Sequence, residues 1–357
     1  MCSSDLLGRA ARARTAAKVI GVTGSVGKTS TKDLTRAAAG AGRRVWANEK
    51  SFNNEQGLPT TVVNAPADTE VLILEMGMRG HGEITALCDI ARPTIGVVTR
   101  VAEAHSDRVG GIDGVARAKA ELVQALPAEG VAILNADDVR VRAMASLARC
   151  RVLTFGESDG ADVRVERVVL DDRACASFVA ATPWGTAGVR LAVSGRHMVG
   201  NAAAALAVAA SVGVDLSDAA GALATVGAGA MRMHVGRTAD GVVLLDDSYN
   251  ANPTSMRAAL DALADLPARR RLAVLGVMAE ISDPPAEHRV IVAYASSRGI
   301  AVVALGTDLY GVPSVDAPAA AVDAIAQHWG VAGEGDAVLV KGSRVAGLER
   351  VAALLRG

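Results

Sequence analysis

Paired cysteines are missing from this sequence: its four, Cys2, Cys88, Cys150 and Cys175, are scattered with no C-x-x-C spacing. That argues against a disulfide framework and a thiolate zinc site, and makes a reducing cytoplasm the simplest setting. Long apolar runs are missing too. Nothing approaches the ~18 residues of a membrane span. Leu6-Leu7 gives way at once to Gly8-Arg9 and further arginines, so no signal-peptide core is present. An excess of one charge is also absent. The 37 Lys and Arg against 38 Asp and Glu leave −1, which argues against an electrostatic nucleic-acid binder. There is no internal repeat and no low-complexity linker. What is present is core: 357 residues, 50% hydrophobic and 21% charged, fit a soluble globular protein with a prior of two domains.

From Lys18 onward, β-branched apolar runs alternate with Ala-rich helical stretches. The predicted strands are 19–23, 71–75, 95–99, 131–134 and 152–155, with helices at 28–39, 82–89, 112–126 and 139–147 between them. Such alternation predicts a mostly parallel sheet covered on both faces. Between Ala161 and Val193 the texture changes to strand-like alternation at 163–170, 176–181 and 188–193 without helices, read as an antiparallel patch. Helices return at 199–212 and 216–226, and Gly227-Ala228-Gly229-Ala230 is the preferred domain boundary. A second α/β run follows, with strands at 242–245, 272–275, 301–305 and 337–340 and helices at 254–263, 286–298, 319–327 and 345–355. Its size of about 125 residues fits an independent doubly wound, Rossmann-like domain. The expected division is therefore 1–17 as a helix or linker, 18–229 as an ATP-binding domain and 230–357 as a second α/β domain.

The most specific stretch is Gly21-Val22-Thr23-Gly24-Ser25-Val26-Gly27-Lys28-Thr29-Ser30. Gly24 to Thr29 fits G-x-x-G-K-T, a phosphate loop between strand and helix. Gly24 and Gly27 let backbone N–H groups converge on phosphate oxygens, with Ser25 and Ser30 beside them. The helix N-terminus adds partial positive charge, Lys28 neutralises β/γ charge, and the Thr29 hydroxyl can ligate Mg²⁺. The alternative, a glycine-rich turn without a ligand, does not account for a lysine and hydroxyl at the helix start.

Other candidates are less specific alone. Glu75 closes a predicted strand where the ligand crevice of parallel sheets lies, and either holds Mg²⁺ beside Thr29 or is solvated at the edge. His105 follows a strand and would alone be read as structural or exposed. Lys119, on a predicted helix, would by spacing alone be a solvated lysine paired with a nearby acid. In the second domain, Asp246-Asp247-Ser248-Tyr249-Asn250-Ala251-Asn252-Pro253 combines helix capping with more polar groups than capping needs, so it reads as a ligand loop. Lys341-Gly342-Ser343-Arg344 is either a carboxylate-receiving strand end or a basic surface loop.

Together these stretches resemble the Mur ligase family of ATP-dependent amide-bond ligases, over nearly all of the chain from about Ala16 onward. The general features are Thr23–Thr29, Glu75, and His105 with Lys119. Ser51-Phe52-Asn53-Asn54-Glu55-Gln56-Gly57-Leu58-Pro59, Glu75-Met76-Gly77-Met78, Asp246–Ser255, Val274-Leu275-Gly276 with Met278 and Glu280, and Lys341–Arg344 resemble the MurF-type branch. That branch joins D-alanyl-D-alanine to UDP-MurNAc-tripeptide.

The resemblance implies ATP and Mg²⁺ as cofactors and an acyl phosphate on the tripeptide carboxylate, which the dipeptide amine attacks. It implies Lys28 on the transferring phosphoryl group, and Thr29 with Glu75 on one Mg²⁺. His105 and a carbamylated Lys119 would serve a second. It further places Asn201 at the adenine side, brings Arg232 and Asp247 to ATP on domain closure, and assigns Asn250 and Asn252 to the nucleotide. Asn53, Asn54, Tyr249, Lys341, Ser343 and Arg344 are assigned to the substrates. Four positions depart from the family pattern: Arg100 where Asn is usual, Ser106 for Leu, Met198 for Asn, and Val277 for an acidic residue. Family members also carry an N-terminal domain of about one hundred residues for the UDP end. Only about 17 residues precede the ATP domain here, so the expectation is intact ATP and dipeptide sites with poor nucleotide-sugar affinity. A cytoplasmic monomer without a nucleic-acid partner is expected. The competing readings are another ligase of the same superfamily, or a non-catalytic ATP-binding homologue. A P-loop kinase or GTPase is weaker, for want of an N-K-x-D string and a use for the second domain.

Overall fold

Strands covered by helices on both faces have no polar side, so their sequences read as continuous apolar runs. The runs here behave that way: every residue of Val71–Glu75 and Ile95–Val98 is buried, as are the last five of Lys18–Thr23. The computed structural model describes residues 3–49, 52–102, 109–227, 231–279, 281 and 283–357. Its larger sheet contains β1 (Lys18–Thr23), β2 (Val45–Ala47), β3 (Val71–Glu75), β4 (Ile95–Val98), β5 (Val131–Asn135), β6 (Arg151–Gly156), β7 (Val163–Leu170), β8 (Cys175–Thr182) and β9 (Gly185–Ser194). The order is β2-β3-β1-β4-β5-β6-β7-β8-β9. Neighbouring strands from β2 through β7 pair in parallel, and β7 to β9 form the small antiparallel patch.

Topology decides where a ligand can sit. The chain leaves β1 toward β2, returns to β3, then crosses β1 to reach β4, so the strand order reverses around β1. Ligands of open α/β sheets bind beyond the carboxyl ends of strands at such a point. Register makes those ends level, with Val22 opposite Glu75 and Thr23 opposite Val98. The helix Lys28–Gly40 rises from β1 and packs on Met198–Ser211. Alanines 202–205, 207 and 209 in the latter are all buried, and their small side chains let the two helices approach closely.

The smaller sheet holds β10 (His234–Arg237), β11 (Val243–Asp246), β12 (Arg270–Leu275), β13 (Ala301–Leu305), β14 (Ser314–Val315) and β15 (Asp336–Lys341). Its order is β10-β11-β15-β12-β13-β14, parallel except for the β10 edge. Asp246 pairs with Val340 and Leu275 with Lys341, so the carboxyl ends of β11, β15 and β12 again lie level. Its core joins Leu244, Leu272, Val274 and Val338 to Ile325, Trp329, Leu348 and Val351.

The fold is therefore α/β, as read from the sequence, with differences in detail. The short strands β2, β10 and β14 and the helix Gly57–Val63 are additions. The helix expected at 345–355 is broken. A 3-10 turn, Arg344–Ala346, ends at Gly347 in the left-handed region (φ 64°), and Glu349–Arg356 follows as a separate helix. The break turns Leu348 into the core, where it is fully buried. Compactness divides the chain into two units. The first runs to Val169 and includes Ser177–Leu191 and His197–Val226; the second includes Leu170–Ala176, Ala192–Arg196 and Gly227–Gly357. The two short stretches fall with the second unit, whereas the sequence reading assigned all of 18–229 to the first. Residues 228–230 of the expected boundary lie outside the described residues. Among the described residues no helix is long and apolar enough to cross a membrane.

Candidate functional site

In the first unit, two glycines make the loop after β1 possible. A Cβ on Gly24 would lie 1.9 Å from Thr99 Oγ1. Gly27 has φ 84° at the helix N-cap, and a Cβ there would come within 2.8 Å of Asn201 Oδ1. The loop is also braced from β4. Ser25 Oγ donates to Ala102 O (2.8 Å) and accepts from Ala102 N–H (2.9 Å), while Thr99 Oγ1 donates to Val26 O (2.6 Å). Lys28 Nζ donates to Gly24 O at 2.7 Å, which lays its charge across the loop. Ser30 sits half-buried in the first turn of the helix.

Beside the loop lies a buried carboxylate. Glu75 is 2% exposed, with Oε2 accepting from Thr29 Oγ1 and Oε1 from Asn53 Nδ2, both at 2.8 Å. Its backbone N–H donates to Asn48 Oδ1 (2.8 Å). Among the described residues no cation pairs with Glu75. A buried carboxylate held only by neutral donors retains a strong demand for positive charge. Two hard oxygen donors at a phosphate loop suit Mg²⁺, which takes one or two protein oxygens and completes its shell with phosphate and water. Among the described residues there is no cluster of three His, Cys, Asp or Glu, so a cage made wholly of protein ligands is not offered.

Lys119 overturns the solvated-lysine reading. It is 4% exposed on the helix Gly111–Gln124. Burial pushes its amine well below the usual lysine range, and the nearby Lys28 charge adds to the shift. The nearest acid in sequence, Glu121, instead accepts from the N–H groups of Gly82 and Thr85. His105 lies outside the described residues. Thr99 and Val101, earlier in the chain, are held: Asn135 Nδ2 donates to Thr99 O (2.7 Å), and Asp138 Oδ2 accepts from Val101 N–H (2.8 Å). Asn48, Asn135 and Asp138 were not picked out from the sequence. The string Asn135-Ala136-Asp137-Asp138 directly after a strand was the available signal.

Two further assignments land differently. Asn201 Oδ1 accepts from Thr31 Oγ1 (3.2 Å), and its Nδ2 donates to Met198 Sδ (3.5 Å), so Asn201 is tied to the phosphate-loop helix. The departure at Met198 thus supplies a weak acceptor beneath it. Asn54 Oδ1 accepts from Gln56 and Gly57 N–H groups at the start of Gly57–Val63. That oxygen is committed to the turn entering the helix, and Asn53 alone of the pair reaches Glu75.

In the second unit, Asp247 and Lys341 form an ion pair at the ends of β11 and β15, with Lys341 1% exposed. Asp247 Oδ1 also accepts from Met233 N–H (3.1 Å), and Lys341 Nζ donates to Asn250 O (2.8 Å). The residues assigned separately to nucleotide and dipeptide therefore hold each other. Arg232 lies over the Tyr249 ring, 3.8 Å from its centroid. Met231 and Met233 flank it with φ 59° and 49°, a costly conformation for residues with a Cβ. Asn252 forms a capping box with Ser255, so its oxygen is committed to the helix Pro253–Asp265. Asn250 is exposed. Ser343 Oγ accepts from Ala279 N–H (2.9 Å) and donates to Ala251 O (3.3 Å). Arg344 is 57% exposed at its side chain and pairs with Glu349 at 3.5 Å. Asp246, counted toward the ligand loop, is taken up by Ser248 and Arg356.

Comparison with known proteins places this arrangement. The Mur ligase middle domain matches residues 22–209, and the Mur ligase glutamate ligase domain matches 231–344. The UDP-N-acetylmuramoyl-tripeptide–D-alanyl-D-alanine ligase of Mycobacterium tuberculosis (strain ATCC 25618 / H37Rv) is 47% identical, over 76% of this chain and 54% of the relative. The enzyme of the same name from Mycobacterium leprae is 40% identical over 95% and 73%. The chain thus spans about half the length of the first of these relatives, 54%. A crystal structure of MurF from Acinetobacter baumannii superimposes with TM-score 0.91 at 30% identity, covering 99% of this chain and 80% of that one. MurF ligase from Thermotoga maritima in complex with ADP gives 0.90 at 26%, covering 99% and 84%.

Proposed function

The chain belongs to the Mur ligase family, and on that premise we propose that it catalyses ATP-dependent addition of D-alanyl-D-alanine to UDP-MurNAc-tripeptide, as a cytoplasmic monomer. The observation that carries the reading is the Thr29–Glu75–Asn53 cluster at the phosphate loop, because it joins the nucleotide-binding motif to the branch-specific Phe52-Asn53-Asn54 stretch through one buried carboxylate. Proposed in the same way is the division into 18–229 and 230–357.

ATP phosphorylates the tripeptide carboxylate, giving an acyl phosphate and ADP. The dipeptide amine then adds to the carbonyl, and phosphate leaves from the tetrahedral intermediate as the amine gives up its proton. Lys28 stabilises negative charge on the transferring phosphoryl group, and the loop N–H groups orient the phosphates. Thr29 and Glu75 would hold a Mg²⁺, which when bound neutralises phosphate charge. Lys119 suits carbamylation, since burial disfavours its charged form and the neutral amine has the lone pair that attacks CO₂, and the product offers oxygen donors; the family resemblance assigns His105 to the same role. Asn201 fixes the helix behind the loop. Asp247, Tyr249, Asn250 and Asn252 belong to the second unit's ligand loop and Arg232 lies over Tyr249, with Lys341 acting through Asp247 and Arg344 presenting exposed charge.

The test is ADP release on mixing the chain with ATP, Mg²⁺, UDP-MurNAc-tripeptide and a panel of amines. Release stimulated by D-alanyl-D-alanine and abolished in Lys28→Ala is expected. Stimulation by a different amine would move the chain to another ligase of the family, and ATP binding with no stimulated release would make it a non-catalytic homologue.

A further inference from the structure

His288 was not among the residues read as functional, yet it is fully buried in the second unit on the helix Pro284–Ser297. Both ring nitrogens are engaged. Nδ1 lies 2.5 Å from Pro284 O and Nε2 lies 2.9 Å from Met278 N. A carbonyl can only accept and an amide N–H can only donate, so Nδ1 carries the hydrogen and Nε2 is an acceptor. The ring is therefore neutral. It meets Tyr310 edge-on at 4.6 Å, and Tyr310 Oη donates to Gly276 O (2.9 Å). The two rings thus grip both ends of one turn, Gly276 to Met278, just beyond β12.

That turn is joined to the end of β15. Gly276 N–H donates to Lys341 O (2.9 Å), Ser343 N–H to Val277 O (2.9 Å), and Ala279 N–H to Ser343 Oγ (2.9 Å). The two turns lie close together, since a Cβ on Gly342 would be 3.1 Å from Gly276 Cα. We propose that His288 is a positioning residue: its neutral imidazole, with Tyr310, holds the Gly276–Ala279 turn against Ser343 and so sets the Lys341–Arg344 strand end. The functional half of this rests on the reading above, in which that strand end faces the incoming dipeptide.

Protonation would place a second N–H against the Met278 N–H, replacing an attraction with a clash of donors. Burial holds the imidazole below its ordinary 6.5, so the contact survives at neutral pH. Among the described residues no charged group contributes to that shift. On its own helix, Asp283 is spent as the N-cap, accepting from Ala286 N–H, and Arg289 is exposed and bonded to Pro285 O. On the packed helix Pro253–Asp265, Asp261 is taken up by Tyr294 and Arg298. At the end of β15, Lys341 is held by Asp247. Tyr310 is the titratable group in contact, and burial pushes its phenol up, so it stays neutral. Glu280 lies outside the described residues.

Hydrogen–deuterium exchange of the full chain reads the contact directly. Corrected for intrinsic rates, exchange of the 276–279 amides should rise about tenfold between roughly pH 7.5 and 5.5. His288→Gln keeps an acceptor that does not titrate and should abolish the rise; His288→Phe should exchange fast at both values. In the ligase assay, His288→Phe should raise the dipeptide KM about tenfold with kcat within about twofold, and Gln should restore it. An unchanged acid response in His288→Gln, or an unchanged KM alongside fast exchange in His288→Phe, overturns the proposal. If the unmodified chain shows no dipeptide-stimulated ADP release, the functional reading fails, and the exchange data still decide the contact.

Discussion

At the scale of single residues, the most informative group is the Lys119 amine, because its burial has consequences of both sign. Its native value lies below the ordinary lysine value and the unfolded value does not, so the unfolded chain binds more protons between the two. Stability therefore rises with pH through that window and is lowest below it, where the buried site must take up the charge. Lys119→Met should flatten the slope of stability against pH from neutral to about 10, checked by urea midpoints across that range, while abolishing ligase activity. Lys119→Ala should regain part of its activity with added small carboxylates, which replace the oxygen donors of the carbamate. Spacing alone reads Lys119 as a solvated lysine, because nothing in Ala116–Glu121 announces burial, and only the family resemblance gives it a role at the site. The Asp247–Lys341 pair was hidden for a related reason, since its members are 94 residues apart. Removing one member of a buried pair leaves the other uncompensated, so Lys341→Met should cost roughly 3 kcal/mol in a denaturant titration. Adding Asp247→Leu should return most of it.

At the scale of elements, what was legible followed burial on both faces. β1, β3, β4 and β5 are continuous apolar runs, and their positions were read correctly to within a residue or two. The phosphate loop was legible because its glycines and Lys28-Thr29 are local chemistry. The short strands β2, β10 and β14 were not: β2 and β14, of three and two residues, carry too little pattern, and β10, His234-Val235-Gly236-Arg237, has no apolar run. Nor was the break at Gly347, which follows from where Leu348 must pack. The element most underestimated is the turn after β5. Asp138 caps the helix Val139–Ala143, accepting from Arg140 and Val141 N–H groups, and also holds Val101 beyond β4. Asp138→Ala loses a cap, ~1 kcal/mol, and strands the Val101 amide, ~1–3 kcal/mol. A total loss of roughly 2–4 kcal/mol in urea unfolding is expected, with reduced turnover because the next residue, Ala102, braces the phosphate loop through Ser25. A loss confined to the cap alone would show that Val101 finds another acceptor.

At the scale of the whole molecule, each unit places polar residues at the carboxyl ends of its central strands, and the second answers acid through two groups of its own. In the second unit, His288 is held neutral below its ordinary value, so the stability it supports is complete above about pH 6.5 and falls as pH drops toward its lowered native value. Asp336, fully buried, is bonded through both oxygens to Arg270, which holds its carboxyl below the usual range. Its contribution is present above the ordinary aspartate value and is lost only as pH falls through the lower native one. Two separate acid steps should therefore appear in this unit. Exchange measured over β11, β12 and β15 should lose protection first between about pH 6.5 and 5, a step removed by His288→Gln, and again below about pH 4, a step removed by Asp336→Asn at the expense of neutral-pH stability. The β1 and β3 strands of the first unit should not share the first step, since His288 belongs to the second unit. Loss of protection in both units together at the first step would mean that they unfold as one cooperative body, and His288 would then report on the entire chain rather than on its own turn.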